Sequence, residues 1–275
     1  MMLGLENWVP LYMTGQISPY YLKGVQNRVY SHLHYCSGQV AMTGDCISGH
    51  HDLAHYYLTS RKEEVSISQK NMEFLLKKAH PLMDIYREER KKELHASLLE
   101  NAGKEGRRRR VLAVPDLGVL PKKLLEEILE RNHVVLNEKT VILESYKRSA
   151  TCLETILKHS VVEDEVSVLS EAEYEKYPLV LPLAECFLEK DIRLTYEEYH
   201  ACIGAAENYA KANENYQFNL TKIKGFHNIQ ITCFEGKWCM ISKNRAPAIH
   251  FVIHHPKLRY ALENMVLPIR DDEIE

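Results

Sequence analysis

The sequence predicts an α+β protein: a mostly helical N-terminal half, then a half in which a small mixed or antiparallel sheet is flanked by helices. Three observations predict it. In the first half, apolar residues recur at helical spacing, as at Tyr21, Val25, Val29 and Leu33. From about residue 160 the pattern changes to short alternating, β-branched runs such as "NIQITCF" and "AIHFVIHH". Between and after those runs, capped helical segments persist, as in "TYEEYHACIGAAENYAKAN". The matching division is a helical region at 1–105 and an α+β region at 106–275.

The elements follow in order. "ISPYYLKGVQNRVYSHLHYC" begins with Ser18 as a cap and Pro19 at the first helical position, which predicts a helix. "HHDLAHYYLTSRK" predicts a shorter helix with Leu53, Tyr56 and Tyr57 turned inward. "SISQKNMEFLLKKAHPLMDIYREERKKELHASLLEN" is strongly helical, with Met72, Leu75, Leu76 and Ala79 inward, a break at Pro81 and a stop at Gly103. "GKEGRRRR" reads as a loop and "VLAVPDL" as a short buried strand. "PKKLLEEILERN" and "EKTVILESYKRSATCLETILKH" predict two more helices, and "EVSVL" and "LVLPL" two strands. Thr195 and Glu198 form a capping-box pattern before the next helix. After "YQFNL", the stretch "NIQITCFEGKWCMISK" predicts a hairpin whose Gly236 can take positive φ. Pro256 opens a closing helix.

Net charge is −3, so the chain as a whole is no polycation made for nucleic acid. The longest apolar stretch, "YPLVLPLAECFL", is too short to span a bilayer, and "MMLGLENWVP" lacks the basic start of a signal peptide. A cytoplasmic protein with no membrane partner is expected. The 7 cysteines form no CxxC pair, which fits reduced thiols. GxGxxG, the P-loop, GxSxG and HExxH are all absent. No catalytic residue and no cofactor is therefore assigned, and the expectation is a non-enzyme.

Three constellations invite function. On a helix, His51 and His55 share a face at zinc-site spacing, and His51–Asp52 matches the His-Asp pair of metal-dependent phosphohydrolases. A metal-dependent hydrolase using His51, Asp52 and His55 is thus one alternative. Against it, no second His-Asp pair follows to complete the ligands, and half-buried rings packed between helices are the commoner arrangement. Arg107, Arg108, Arg109 and Arg110 form a contact for an anion or nucleic acid, or else a solvated loop balanced by acidic helices. The two helices that follow are joined by too long a turn for a helix-turn-helix. Finally, His227, Gln230, Trp238, Lys243, Asn244, Arg245 and His250 lie on or between predicted strands. Polar side chains there must face water, a cavity or a partner, so this is the expected ligand-facing surface.

Several stretches carry a family resemblance: "ISPYYLKGVQNRVYSHLHYCSG", "HPLMDIYREERKKELHASLLENAGKEGRRRRVLAVP", "KHSVVEDEVSVLS" and above all "GKWCMISKNRAPAIHFVIHHP". Together they resemble the region after the DNA-binding module in Cro/repressor-type (XRE-like) helix-turn-helix transcriptional regulators of clostridia and relatives. The resemblance spans nearly the whole chain. It implies a bacterial sensor, effector or dimerisation region that acts by a ligand- or partner-linked conformational change. It carries over no catalytic residue. The chain starts inside that region, with no room for a roughly 60-residue DNA-binding module before "ISPYY". The module was lost, or lies upstream of this start, or a DNA-binding partner chain supplies it. Self-association as a dimer, an unknown small ligand and such a partner are the expected interactions. A structural or interaction protein with no small ligand is the remaining alternative.

Overall fold

The computed structural model describes residues 11–12, 14, 16–23, 29–47, 49–221 and 227–265. The chain divides into two compact units, Thr14–Leu82 and Met1–Met13 with Met83–Glu275. The division thus falls between residues 82 and 83, ahead of the 105/106 boundary expected from composition. The reason is the helix Lys91–Ala102, whose Leu94 and Ala102 are buried within the larger unit.

The small unit holds strands β1 (Tyr20–Tyr21), β2 (Val29–Cys36), β3 (Ala41–Ile47), β4 (His55–Thr59) and β5 (His80–Pro81), with helix α1 (Lys62–Lys78). β2, β3 and β4 form an antiparallel sheet, and β1 pairs with β5. This overturns two expected helices. A repeat of four is also a multiple of two, so Val29 and Leu33 suit a strand as well as a helix. The β-rich composition of "VYSHLHYC" then decides for the sheet. Val25 lies outside the described residues. "HHDLAHYYL" likewise gives a single 3-10 turn, His51–Leu53, followed by β4. α1 forms as expected and ends before Pro81, but Leu75 and Leu76 stay exposed.

The larger unit is built on one sheet of order β6-β12-β11-β10-β7-β8-β9. Its strands are β6 (Asp84–Tyr86), β7 (Arg108–Leu112), β8 (Val162–Ser167), β9 (Tyr216–Thr221), β10 (Ile229–Phe234), β11 (Trp238–Lys243) and β12 (Ile249–Ile253). β7, β8 and β9 run parallel, joined by crossovers, and the remaining pairs are antiparallel. The helices are α2 (Lys91–Ala102), α3 (Lys122–Arg131), α4 (Leu136–Leu157), α5 (Glu171–Lys176), α6 (Tyr196–Ala212) and α7 (Pro256–Glu263). The α+β class is therefore present, with a mixed sheet. The expected hairpin forms around Gly236 at φ 72°. Thr195 and Glu198 close a full capping box on α6, and Pro256 opens α7. "RRRR" is not a loop: its last three arginines begin β7.

One face of the sheet is covered by two apolar clusters. The first gathers Leu125, Ile128 and Leu129 of α3, Ile142 and Leu153 of α4 and Tyr199, Cys202 and Ala206 of α6 on Val162 and Tyr216. The second gathers Leu94, Phe187, Phe234, Trp238, Met240 and Val252. Among the described residues, no helix is long and apolar enough to cross a membrane.

Candidate functional site

Alternation along β7 sends its arginines to opposite faces of the sheet. Arg107 and Arg109 turn outward and pair with Glu163 and Glu165. Arg108 and Arg110 turn inward. Arg108 lies 3.8 Å over the Phe234 ring and donates to the carbonyls of Gly106, Asn101 and Lys104, the last two at 2.7 Å. It thereby satisfies carbonyls at the C-terminal end of α2, where the helix dipole favours a cation.

Arg110 donates from Nε and Nη2 to the two oxygens of fully buried Asp164, at 2.6 and 2.8 Å. Its Nη1 donates to Asp116 Oδ2 at 3.0 Å. Asp164 also accepts the Tyr216 hydroxyl at 2.7 Å. Asp116 in turn accepts from Ser149 Oγ and from the Gly118 amide. Burial alone would push the Arg110 pKa down, but Asp164 and Asp116 outweigh it and raise it.

Beside this network lies a cavity of about 100 Å³, lined by residues of both apolar clusters. Its polar lining is Arg108, Arg110, Asp116, Arg148, Ser149, Cys152, Glu185, Asn101, Gln230 and Thr232. Leu98, Leu112, Leu153, Ile156, Val162, Trp238 and Met240 supply an apolar wall. Glu185 sits on the short turn Ala184–Cys186, whose position is held by His95 Nε2 against the Glu185 carbonyl at 2.9 Å. Burial and the nearby Asp116 push the Glu185 carboxyl up to about 7, against the pull of Arg148 and Arg110. Burial pushes the Cys152 thiol up to about 11, so it is a poor nucleophile. The lining holds no histidine to act as a base for Ser149.

The structure brings together four of the residues singled out in the sequence: Arg108, Arg110, Gln230 and Trp238 all line the cavity. The others lie elsewhere. His227 stacks on Tyr177 at 4.6 Å. Lys243 Nζ donates to the carbonyls of Ala246 and Pro247. Asn244 is buried, and Arg245 donates to the Pro178 carbonyl at 2.7 Å. His250 is buried beside Ser242, Nδ1 to Oγ 2.7 Å, and burial lowers its pKa to about 4. The helical face shared by His51 and His55 does not exist. His51 lies in the 3-10 turn with Nδ1 3.3 Å from Cys46 Sγ, and His55 pairs with Asp45 across strands. Among the described residues, no group of three or more His, Cys, Asp and Glu side chains is placed to hold a metal ion.

Sequence reasoning missed Arg148, Asp116, Ser149 and Glu185. Arg148 and Ser149 lie in "ESYKRSATCLETIL", where they read as the ordinary polar face of a helix. One signal was available for the buried pair: in "VVEDEVSVL", Asp164 takes the place of an apolar residue in the alternation Val162, Asp164, Val166. No known protein family, characterised protein or solved structure matches the chain.

Proposed function

We propose that Met83–Glu275 is a ligand-sensing region of a transcriptional regulator, with the cavity between its two apolar clusters as the sensing site. The observation that carries this is the lining: three guanidinium groups and two carboxylates around a cavity that lies between two apolar clusters. Charged groups of that density are costly to bury and cluster where a ligand is met. The lining comes from α2, α4, the 184–186 turn and β7, β10 and β11, so an occupant bridges the helices to the sheet. It would shift a conformational equilibrium to the extent that it binds one arrangement more tightly. The resemblance to regulators supplies the output: altered association with a second copy or with a DNA-binding partner chain.

The test is mass measurement of the purified full chain under native and then denaturing spray, followed by a thermal-shift screen of small metabolites. A co-purified small molecule, or a compound that raises Tm and changes subunit number, is the expected result. A chain that carries nothing, responds to no compound and never changes its association state ends the sensing reading.

A further inference from the structure

We propose that the ligand is a small organic monocarboxylate, gripped by Arg148 and laid against the apolar wall of the cavity; this rests on the sensing reading above. The cavity's three arginines are not equivalent. Arg110 is neutralised by Asp164 and Asp116. Arg108 is taken up by three backbone carbonyls and the Phe234 ring. Arg148 has one hydrogen bond, from Nη2 to Ser145 Oγ at 3.2 Å. Its Nε is buried with no hydrogen-bond partner, and among the described residues no carboxylate lies within 4.0 Å of it. A guanidinium has five donors in a planar fork, matched to the two oxygens of a carboxylate. A buried, unmatched N–H costs free energy until something accepts from it.

Charge selects among anions. Asp116 and Glu185 share the lining, so a doubly charged phosphate would set surplus negative charge against both. A neutral ligand would leave Arg148 with no carboxylate in hydrogen-bond reach among the described residues. A monocarboxylate supplies Arg148 with a two-oxygen acceptor and adds one negative charge rather than two. The rest of the molecule meets Leu98, Leu153, Ile156, Trp238 and Met240, which call for hydrocarbon rather than a sugar or a polyol. Size follows from volume: since a cavity of about 150 Å³ admits benzene, with its six non-hydrogen atoms, one of about 100 Å³ admits about four or five. Ser149 and Thr232 have hydroxyls at the same wall, which would accommodate a hydroxyl substituent on the acid.

The probes are acetate, propanoate and propenoate, the neutral isostere propanamide, and inorganic phosphate, titrated calorimetrically into the full chain. At least one carboxylate is expected to bind at least tenfold more tightly than both the amide and phosphate. Arg148→Gln should weaken that carboxylate at least tenfold and leave the amide unchanged. If Arg148→Gln does not fold, the carboxylate-to-amide ratio of the wild type decides alone. Equal binding of amide and acid, tighter binding of phosphate, or no binding by any probe overturns the ligand class. None of these outcomes overturns the sensing reading, which falls only if the spray and thermal-shift measurements also find nothing bound.

Discussion

Arg110 meets Asp164 fork to fork, with Nε and Nη2 at 2.6 and 2.8 Å from the two carboxylate oxygens, across the parallel pair β7–β8. Asp164 is fully buried, so its charge has no water to fall back on. Removing one partner strands the other. Asp164→Asn is expected to cost about 3–5 kcal/mol, the range for breaking a buried pair. The double replacement Arg110→Met/Asp164→Leu should cost clearly less than the sum of the two single changes, because it removes both charges. Urea denaturation of the wild type, Asp164→Asn, Arg110→Met, Asp164→Leu and the double replacement checks this.

Two buried groups make stability depend on pH in opposite directions. His250 has its pKa lowered by burial to about 4, below its ordinary 6.5. Its contribution is complete above pH 6.5 and is lost as pH falls toward 4, up to about 3 kcal/mol. Glu185 is raised by burial to about 7, above its ordinary 4.5. Its contribution is complete below pH 4.5 and is lost as pH rises through 7. His250→Gln should flatten the acid limb of a stability profile, and Glu185→Gln the neutral limb. Denaturation midpoints between pH 4 and 8 separate the two.

Gly118 is squeezed between Asp116 and α4. A Cβ there would lie 2.9 Å from backbone atoms of Ser149 and Ala150. Backbone cannot swing aside, so Gly118→Ala should push α4 outward and cost about 1–3 kcal/mol. It should also loosen the Ser149–Asp116 contact and weaken any ligand bound beside it. Thermal melting and titration with the tightest cavity ligand report the two effects.

The cap of α6 offers a milder test. Thr195 accepts from the Glu198 amide, and Glu198 returns a bond to the Thr195 amide while also holding Arg131. Thr195→Ala should cost about 1 kcal/mol. Arg107→Ala, by contrast, removes a pair whose arginine is 53% exposed, and should change stability by less than about 1 kcal/mol. Both are measurable by chemical denaturation.

Much of the larger unit was legible in the sequence because its signals are local. Thr195 with Glu198, Pro256 at a helix start and Gly236 in a hairpin each specify backbone geometry within a few residues. The small unit was misread because its period of four fits both a helix and a strand, and pairing partners decide between them. The site was half legible. Gln230 and Trp238 stood out as polar or aromatic residues on strands. Arg148 did not, since the helix face it occupies is buried only by elements far away in the chain. Nor did "RRRR" declare itself a strand, because its cancelling charges, Glu163, Asp164 and Glu165, lie more than 50 positions later.

That arginine strand also acts as an address label. Arg108, Arg109 and Arg110 lie opposite Val162, Glu163 and Asp164 in the parallel ladder. Outward arginines find outward glutamates, and the inward Arg110 finds the inward Asp164. A slip of one position in one sense would set Val111 opposite Asp164 and leave that buried carboxylate without a cation, whereas in the other sense Arg109 would take the place of Arg110. Here a misalignment that sets an apolar residue opposite Asp164 strands a buried charge, which bars the central crossover from closing in that sense.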